Sequence, residues 1–294
     1  MKRVHMVIVL LFISLRVFAT AQVGDILIWK GDTLVLFSNP LELRDDYDLI
    51  IGQISEEIDR KIKTIYPEET DGVSTACWRG YRAEWIVLND SIFLSNIYSC
   101  YYDNVKVNLN NIFPNNIKFQ KLFASWISGD LYLPQGEIIQ YVHLGYLSIF
   151  ERETVLTVEN GILKNNELFH NRIAKRTDFF ERVHLFDFIH ERINWEYLPD
   201  LTNRSIQVYI GVQPNEQGQF ESIDEEYTYL MEYPVNDSIS KLDIVTDTNN
   251  IFIKEGIRIA KLIPEWNVIW QRGKIVGMGI MIDFSERTKK KYVR

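Results

Sequence analysis

Acid–base, metal or thiol chemistry in this chain would have to be built from 5 histidines and 2 cysteines, set among 40 aspartates and glutamates. His143 lies in the aromatic run Tyr141 to Tyr146, with Glu137 and Glu151 on either side. A histidine near carboxylates is a general base or a metal ligand; the competing reading is a histidine hydrogen-bonded on a sheet face. His184 and His190 are six apart, so they do not share a helical face. His190-Glu191 lacks the second histidine of the zinc-protease pattern, and His170 reads as a loop residue. Glu84 and Glu151 would make a glycosidase-like pair only if the fold brought them roughly 5–10 Å apart. No G-x-S-x-G motif is present. Gly277-Met278-Gly279 falls in a strand pattern and not before a helix, so it is no nucleotide loop. Cys77 and Cys100 have neither CxxC spacing nor a histidine nearby in sequence, which argues against metal. The expectation is no catalytic residue, no metal and no cofactor.

The two cysteines are better read with the N-terminus. Lys2 and Arg3 precede an apolar run, Val7 to Leu15, and Ala19-Thr20-Ala21 places small residues where a signal peptidase cuts. Residues 1–21 are therefore expected to be a signal peptide, with an uncleaved anchor as the alternative. Export into an oxidising compartment lets Cys77 and Cys100 form a disulfide, worth roughly 3 kcal/mol for a loop of this size. No later stretch approaches membrane length, so the mature chain is expected to have no membrane span. Loss of Lys2, Arg3 and Arg16 takes the formal charge from −8 to −11. So acidic a chain repels phosphate backbones, and no nucleic-acid partner is expected. Lys289-Lys290-Lys291 is a small basic exception, read as a solvated end.

The elements that hold these residues follow from periodicity. Ile26 to Trp29 and Thr33 to Phe37 form a hairpin about Lys30-Gly31-Asp32. Residues 46–65 are a helix with the stripe Ile51, Ile54, Ile58, Ile62 and Ile65, capped by Asp45 or Asp46. Residues 76–100 are a second hairpin, turning at Asn89-Asp90, with Leu88 opposite Ser91. Here arginine and aromatic residues interleave: Arg79, Tyr81 and Trp85 on one face, Trp78, Arg82 and Glu84 on the other. Such a face can bind a peptide or carbohydrate by stacking, and Trp78 and Arg82 are its candidate binding residues. Residues 103–118 read as a loop and 119–127 as a short helical turn. Leu131 to Leu133 ends at a Pro134-Gln135-Gly136 turn, Ile138 to Tyr146 is the next strand, and Phe150 to Val158 turns at Asn160-Gly161.

Residues 178–194 form a second helix with the stripe Phe179, Val183, Phe186, Ile189 and Ile193. Then come a strand from Ser205 to Gln213, a turn at Asn215 to Gly218, and a returning strand from Phe220 to Tyr227. A polar connection leads to a helix from about 250 to 262, capped by Asn249 or Asn250 and stopped by Pro264-Glu265-Trp266. A last strand spans Ile275 to Phe284. Trp266 is a third candidate binding residue, although Trp266 and Trp270, four apart, also suit covering the helix end. The class is α+β: a signal peptide (1–21), a β-rich domain with one packed helix (22–165), a helical connector (166–203) and a small β-β-α-β domain (204–294).

Two resemblances add to this. Phe37-Ser38-Asn39-Pro40-Leu41, Cys77-Trp78-Arg79-Gly80-Tyr81, and the run Trp126-Ile127-Ser128-Gly129 through Pro134-Gln135-Gly136 to Tyr146 resemble a family of uncharacterised exported bacterial proteins, and that likeness implies no function. Ile263-Pro264-Glu265-Trp266, Gly273-Lys274 and the turn Asn215 to Gly218 are similar to the C-terminal domain of TonB-like proteins. That resemblance implies a periplasmic domain of a Gram-negative cell envelope that pairs a sheet edge with a short peptide. The chain departs from energy transducers in having no proline-rich spacer. The expectation is an exported, non-catalytic module whose partner is an envelope protein or peptide, of unknown oligomeric state. The alternative is an envelope hydrolase acting on glycan or peptide, with a site built on His143 and Glu84, Glu137 or Glu151.

Overall fold

The structure, a computed structural model, describes residues 21–68, 74–102, 104–114, 116–143, 145–202, 204–234 and 243–293. Residues 1–20, where a signal peptide is expected, and 235–242, in the expected polar connection, fall outside them. The chain is a β-rich α+β fold in two compact units that divide between Asn171 and Arg172.

In the first unit the strands run β1 (Asp25–Trp29), β2 (Asp32–Leu36), β3 (Tyr81–Leu88), β4 (Ser91–Ser99), β5 (Ile117–Lys118), β6 (Lys121–Phe123), β7 (Gly129–Gln140), β8 (Ile149–Glu159) and β9 (Ile162–His170). They form one sheet of order β2-β1-β3-β4-β9-β8-β7, with β6 beside β4 and β5 beyond it. The β1–β3 pair is parallel, and the crossover between them carries helix α1 (Tyr47–Ile65). The sheet curls until its ends meet, where Phe37 N–H donates to Tyr132 O at 2.8 Å. Leu27, Trp85, Leu94, Leu133 and Leu156 point inward onto the α1 stripe of Ile50, Ile54, Ile58 and Ile62. Ile65, expected in that stripe, is exposed. Asp46 does not cap α1 with its side chain, because both its carboxylate oxygens are held by Arg44 at 2.7 Å.

The central hairpin turns at Asn89-Asp90 with Leu88 opposite Ser91, and a bulge between Glu84 and Trp85 shifts the later register by one. The shift carries Cys100 to Gly80, whose carbonyl accepts from its N–H. Residues 75–77 are a single 3₁₀ turn, not strand. Cys77 and Cys100 are bonded, with Cα atoms 6.4 Å apart. Among the described residues no helix is long and apolar enough to cross a membrane. That and the bonded cysteines fit an exported protein.

Three expectations are corrected here. Residues 117–123 are the β5–β6 hairpin and not a helical turn. The loop before them holds a short helix, α2 (Leu109–Ile112), whose start is capped by Asn108. Pro134-Gln135-Gly136 does not end a strand: β7 runs on to Gln140 through a bulge. There Gly136 takes φ +79°, and a β-carbon on it would lie 2.5 Å from the Glu151 carboxylate. The turn signal is a bulge signal, because both demand a residue that tolerates the left-handed region.

The second unit adds β10 (Arg172–Lys175), helices α3 (Phe179–Arg182) and α4 (Leu185–His190), β11 (Arg204–Pro214), β12 (Phe220–Pro234), β13 (Asp243–Val245), helix α5 (Ile251–Ala260), β14 (Val268–Gln271), β15 (Lys274–Ile275), β16 (Met278–Phe284) and helix α6 (Glu286–Tyr292). Its main sheet has the order β13-β12-β11-β16, all antiparallel; β10, β14 and β15 form a smaller one. Val208, Ile210 and Ile282 face Phe252, Ile253 and Ile259 of α5. Asn250 caps α5 by accepting from Phe252 N–H. The helix expected over 178–194 is broken at Val183 and His184, which are extended. Phe179, Phe180, Phe186 and Phe188 cannot lie on one straight stripe, and the break lets Phe179 and Ile189 reach the same core. The expected connector 166–203 is not a separate piece: 166–170 belong to β9, and Trp195 and Leu201 pack with the second core.

Candidate functional site

Asp25 opens β1 on the face of Leu27, so alternation points its carboxylate into the core. Its Oδ1 accepts from Arg79 Nη1 (3.2 Å) and Ala83 N–H (3.1 Å), and its Oδ2 from Trp85 Nε1 (3.0 Å). Arg79 also donates to Val23 O and lies over the Tyr81 ring. Tyr146 donates to Asn39 Oδ1 (2.7 Å), and Asn39 Nδ2 to Glu42 (2.9 Å). Trp126 Nε1 donates to Pro40 O. Arg79 Nη2 also lies 3.4 Å from Tyr146 Oη, so the three segments that carry the first resemblance meet at one polar cluster, buried at Asp25 and Arg79 and half-buried at Asn39, Glu42 and Tyr146. Burial pushes the Asp25 carboxyl above its ordinary range, opposed by Arg79 and the Trp85 and Ala83 donors. Burial also raises Glu42, and takes Tyr146 up to about 12. Both Asp25 oxygens are engaged by the chain itself, so the cluster acts as a clamp. Sequence reasoning missed Asp25, Asn39, Glu42 and Tyr146. The available signal was an acid on the inward face of a strand, which demands a buried cation.

The candidate binding residues have different settings. Trp78 is 58 % exposed on the turn before β3, where strand alternation does not extend to it. Arg82 lies on the outer face of β3, its Nε donating to Gly24 O at 2.8 Å. Trp266 is 1 % exposed and packs on Phe180, which corrects its reading as a binding residue. The hydrolase constellation does not assemble. Glu84 is bonded to Ser95 and Asn96 on β4. Glu151, on β8, accepts from Glu137 N–H. Strands β3 and β8 are three spacings apart in the sheet order, roughly 14 Å along the sheet. His143 is not in a strand; it sits exposed in the loop after β7, its Nδ1 2.7 Å from Tyr141 Oη.

In the second unit, a shallow cavity of about 290 Å³ lies between α5 and the Asn194–Leu198 turn. Its one carboxylate, Glu255, is consumed by Arg258 and Asn194 N–H. More open is the rim of the sheet. Among the described residues β16 is paired to β11 alone. Asp283 N–H points away from β11, to His190 Nε2 at 3.1 Å. Because outward and inward groups alternate along a strand, the N–H and C=O of Gly279 and Met281 also point outward. Among the described residues nothing pairs with them, and Met281 is 44 % exposed. His190 itself is buried, Nδ1–H donating to Phe186 O (2.6 Å) while Nε2 accepts from Asp283. Those two partners fix the neutral tautomer, and burial holds its pKa below the ordinary histidine value. The ring ties α4 to the far end of β16 and leaves the rest of the edge open.

No family model, curated protein or solved structure matches the chain.

Proposed function

We propose that the chain is a non-catalytic protein of the cell envelope that captures an extended peptide by strand addition along β16. The supporting observation is the run of outward N–H and C=O groups at Gly279 and Met281, which an added strand would satisfy as a sheet neighbour does. The likeness of Ile263 to Trp266 and Gly273-Lys274 to TonB-type domains supports the same reading, with the periplasm as its compartment. The buried clamp in the first unit then serves as a scaffold.

Met281→Pro tests this directly. Proline removes an outward N–H without touching the bonds to β11, and edge positions tolerate it. A photoreactive residue at 281, in the full chain mixed with envelope extract, should label an extended peptide segment. Met281→Pro with the label moved to 279 should lose at least tenfold of that labelling. Labelling that survives the proline, or that maps to another surface, would sink the proposal.

A further inference from the structure

The β5–β6 hairpin turns through Phe119 and Gln120, with φ +50° and +63°. Left-handed backbone is unfavourable for side chains with a β-carbon, and Gly, Asn and Asp are the usual occupants. The chain obeys this in its other such turns: Lys30-Gly31, Asn89-Asp90, Asn160-Gly161 and Arg272-Gly273 each contain one of the three. Phe119-Gln120 contains none. The ring that occupies the strained position is also unburied, Phe119 being 95 % exposed. Beside it, Lys118 and Lys121 are cross-strand partners, and like charges directly opposite repel. Neither lysine has an ion-pair partner among the described residues, although the chain carries a net charge of −8.

Four consecutive residues thus hold three local conflicts, and one ligand relieves two of them and exploits the third. We propose that this hairpin is a peripheral membrane contact: Phe119 enters the interfacial layer of a bilayer while Lys118 and Lys121 meet anionic headgroups. The order of chemistry along the tip, an apolar apex with cationic shoulders, matches the depth profile of an anionic lipid surface. A protein pocket for one ring would need an acidic rim of matching width; a lipid surface presents that charge at any orientation. Long lysine stems also let the ammonium groups stay at headgroup level as the ring goes deeper. The contact would be weak, each lysine adding roughly fivefold to partitioning, and it would assist capture at the membrane surface and not anchor the chain.

Flotation of the full chain with vesicles of phosphatidylethanolamine and phosphatidylglycerol, against phosphatidylcholine alone, tests the proposal. Binding is expected only to the anionic vesicles and should fall as salt rises. Phe119→Asn should weaken it about tenfold while raising the melting temperature, since Asn suits the left-handed turn. Lys118→Glu with Lys121→Glu should abolish it. Absence of binding to anionic vesicles overturns the proposal, as does a Phe119→Asn variant that binds like the parent. A lower melting temperature for Phe119→Asn would show that the ring is a packing residue, and a protein captured at Phe119 with vesicles inert would assign the tip to a protein partner; either result overturns it.

Discussion

Arg79 and Arg82 lie three residues apart and have opposite fates. Arg79 is desolvated against an equally buried Asp25, so removing it strands a charge in the core. Arg79→Ala is expected to cost roughly 3–5 kcal/mol in urea denaturation. Arg82→Ala gives up one hydrogen bond at the surface, about 1 kcal/mol. The sequence could place Arg79 on the face of Tyr81 and Trp85, but not name its partner, since Asp25 is 54 residues away and nothing local marks the pairing. His190 makes a second prediction at this scale. Near it are Asp283 from β16 and Lys291 and Tyr292 from α6, while Asp187 of its own helix pairs with Lys291 and Tyr292. Its folded pKa is depressed by burial, so between that value and the unfolded one, near 6.5, the unfolded chain binds the extra proton. This contribution to stability is complete above about pH 6.5 and is lost as pH falls through the window. Melting temperature should therefore drop with acid there, and His190→Gln, which can still accept from Asp283 N–H without titrating, should flatten that part of the slope.

Where one local cause dominates an element, its type and ends were legible. Helix α1 follows from isoleucines at helical spacing, and the Asn89-Asp90 and Asn160-Gly161 turns follow from residues that accept φ above zero. Where one residue type serves two purposes the sequence was ambiguous: Gly136 marks a bulge inside β7, and Phe119-Gln120 carries no turn signal at all. Asn160-Gly161 also conceals a packing constraint. A β-carbon on Gly161 would lie 2.6 Å from the backbone oxygen of Ala124, whereas Gly31, with φ +88°, has open space around it. Gly31→Ala should cost only the backbone preference, about 1 kcal/mol. Gly161→Ala adds overpacking and should cost about 3 kcal/mol; equal costs in a denaturation series would show that the Ala124 approach does not matter. The candidate edge on β16 was readable only as a likeness, because which side of a strand stays unpaired depends on partners distant in sequence.

At the scale of the whole chain, each unit has a separate hydrophobic core and only the first holds the disulfide. Thermal unfolding should show two transitions, and a reductant should lower the first unit's alone, by the roughly 3 kcal/mol of a loop this long. Fluorescence of variants that keep a single tryptophan distinguishes them, with Trp85 reporting the first core and Trp266 the second. A single transition moved as a whole would show that the units unfold together.

The seam at Phe37 and Tyr132 sets an order of events for a chain that emerges amino end first. β2 is synthesised almost a hundred residues before the segment its rim will meet, and β1 waits on β3 across the whole of α1. Until Tyr132 arrives, a hydrophobic ribbon stands with one flank bare, the condition in which strands join the wrong neighbour. Closure is a late, long-range step with a slow search, so the nascent chain is most in need of a holding chaperone in the interval between those two residues.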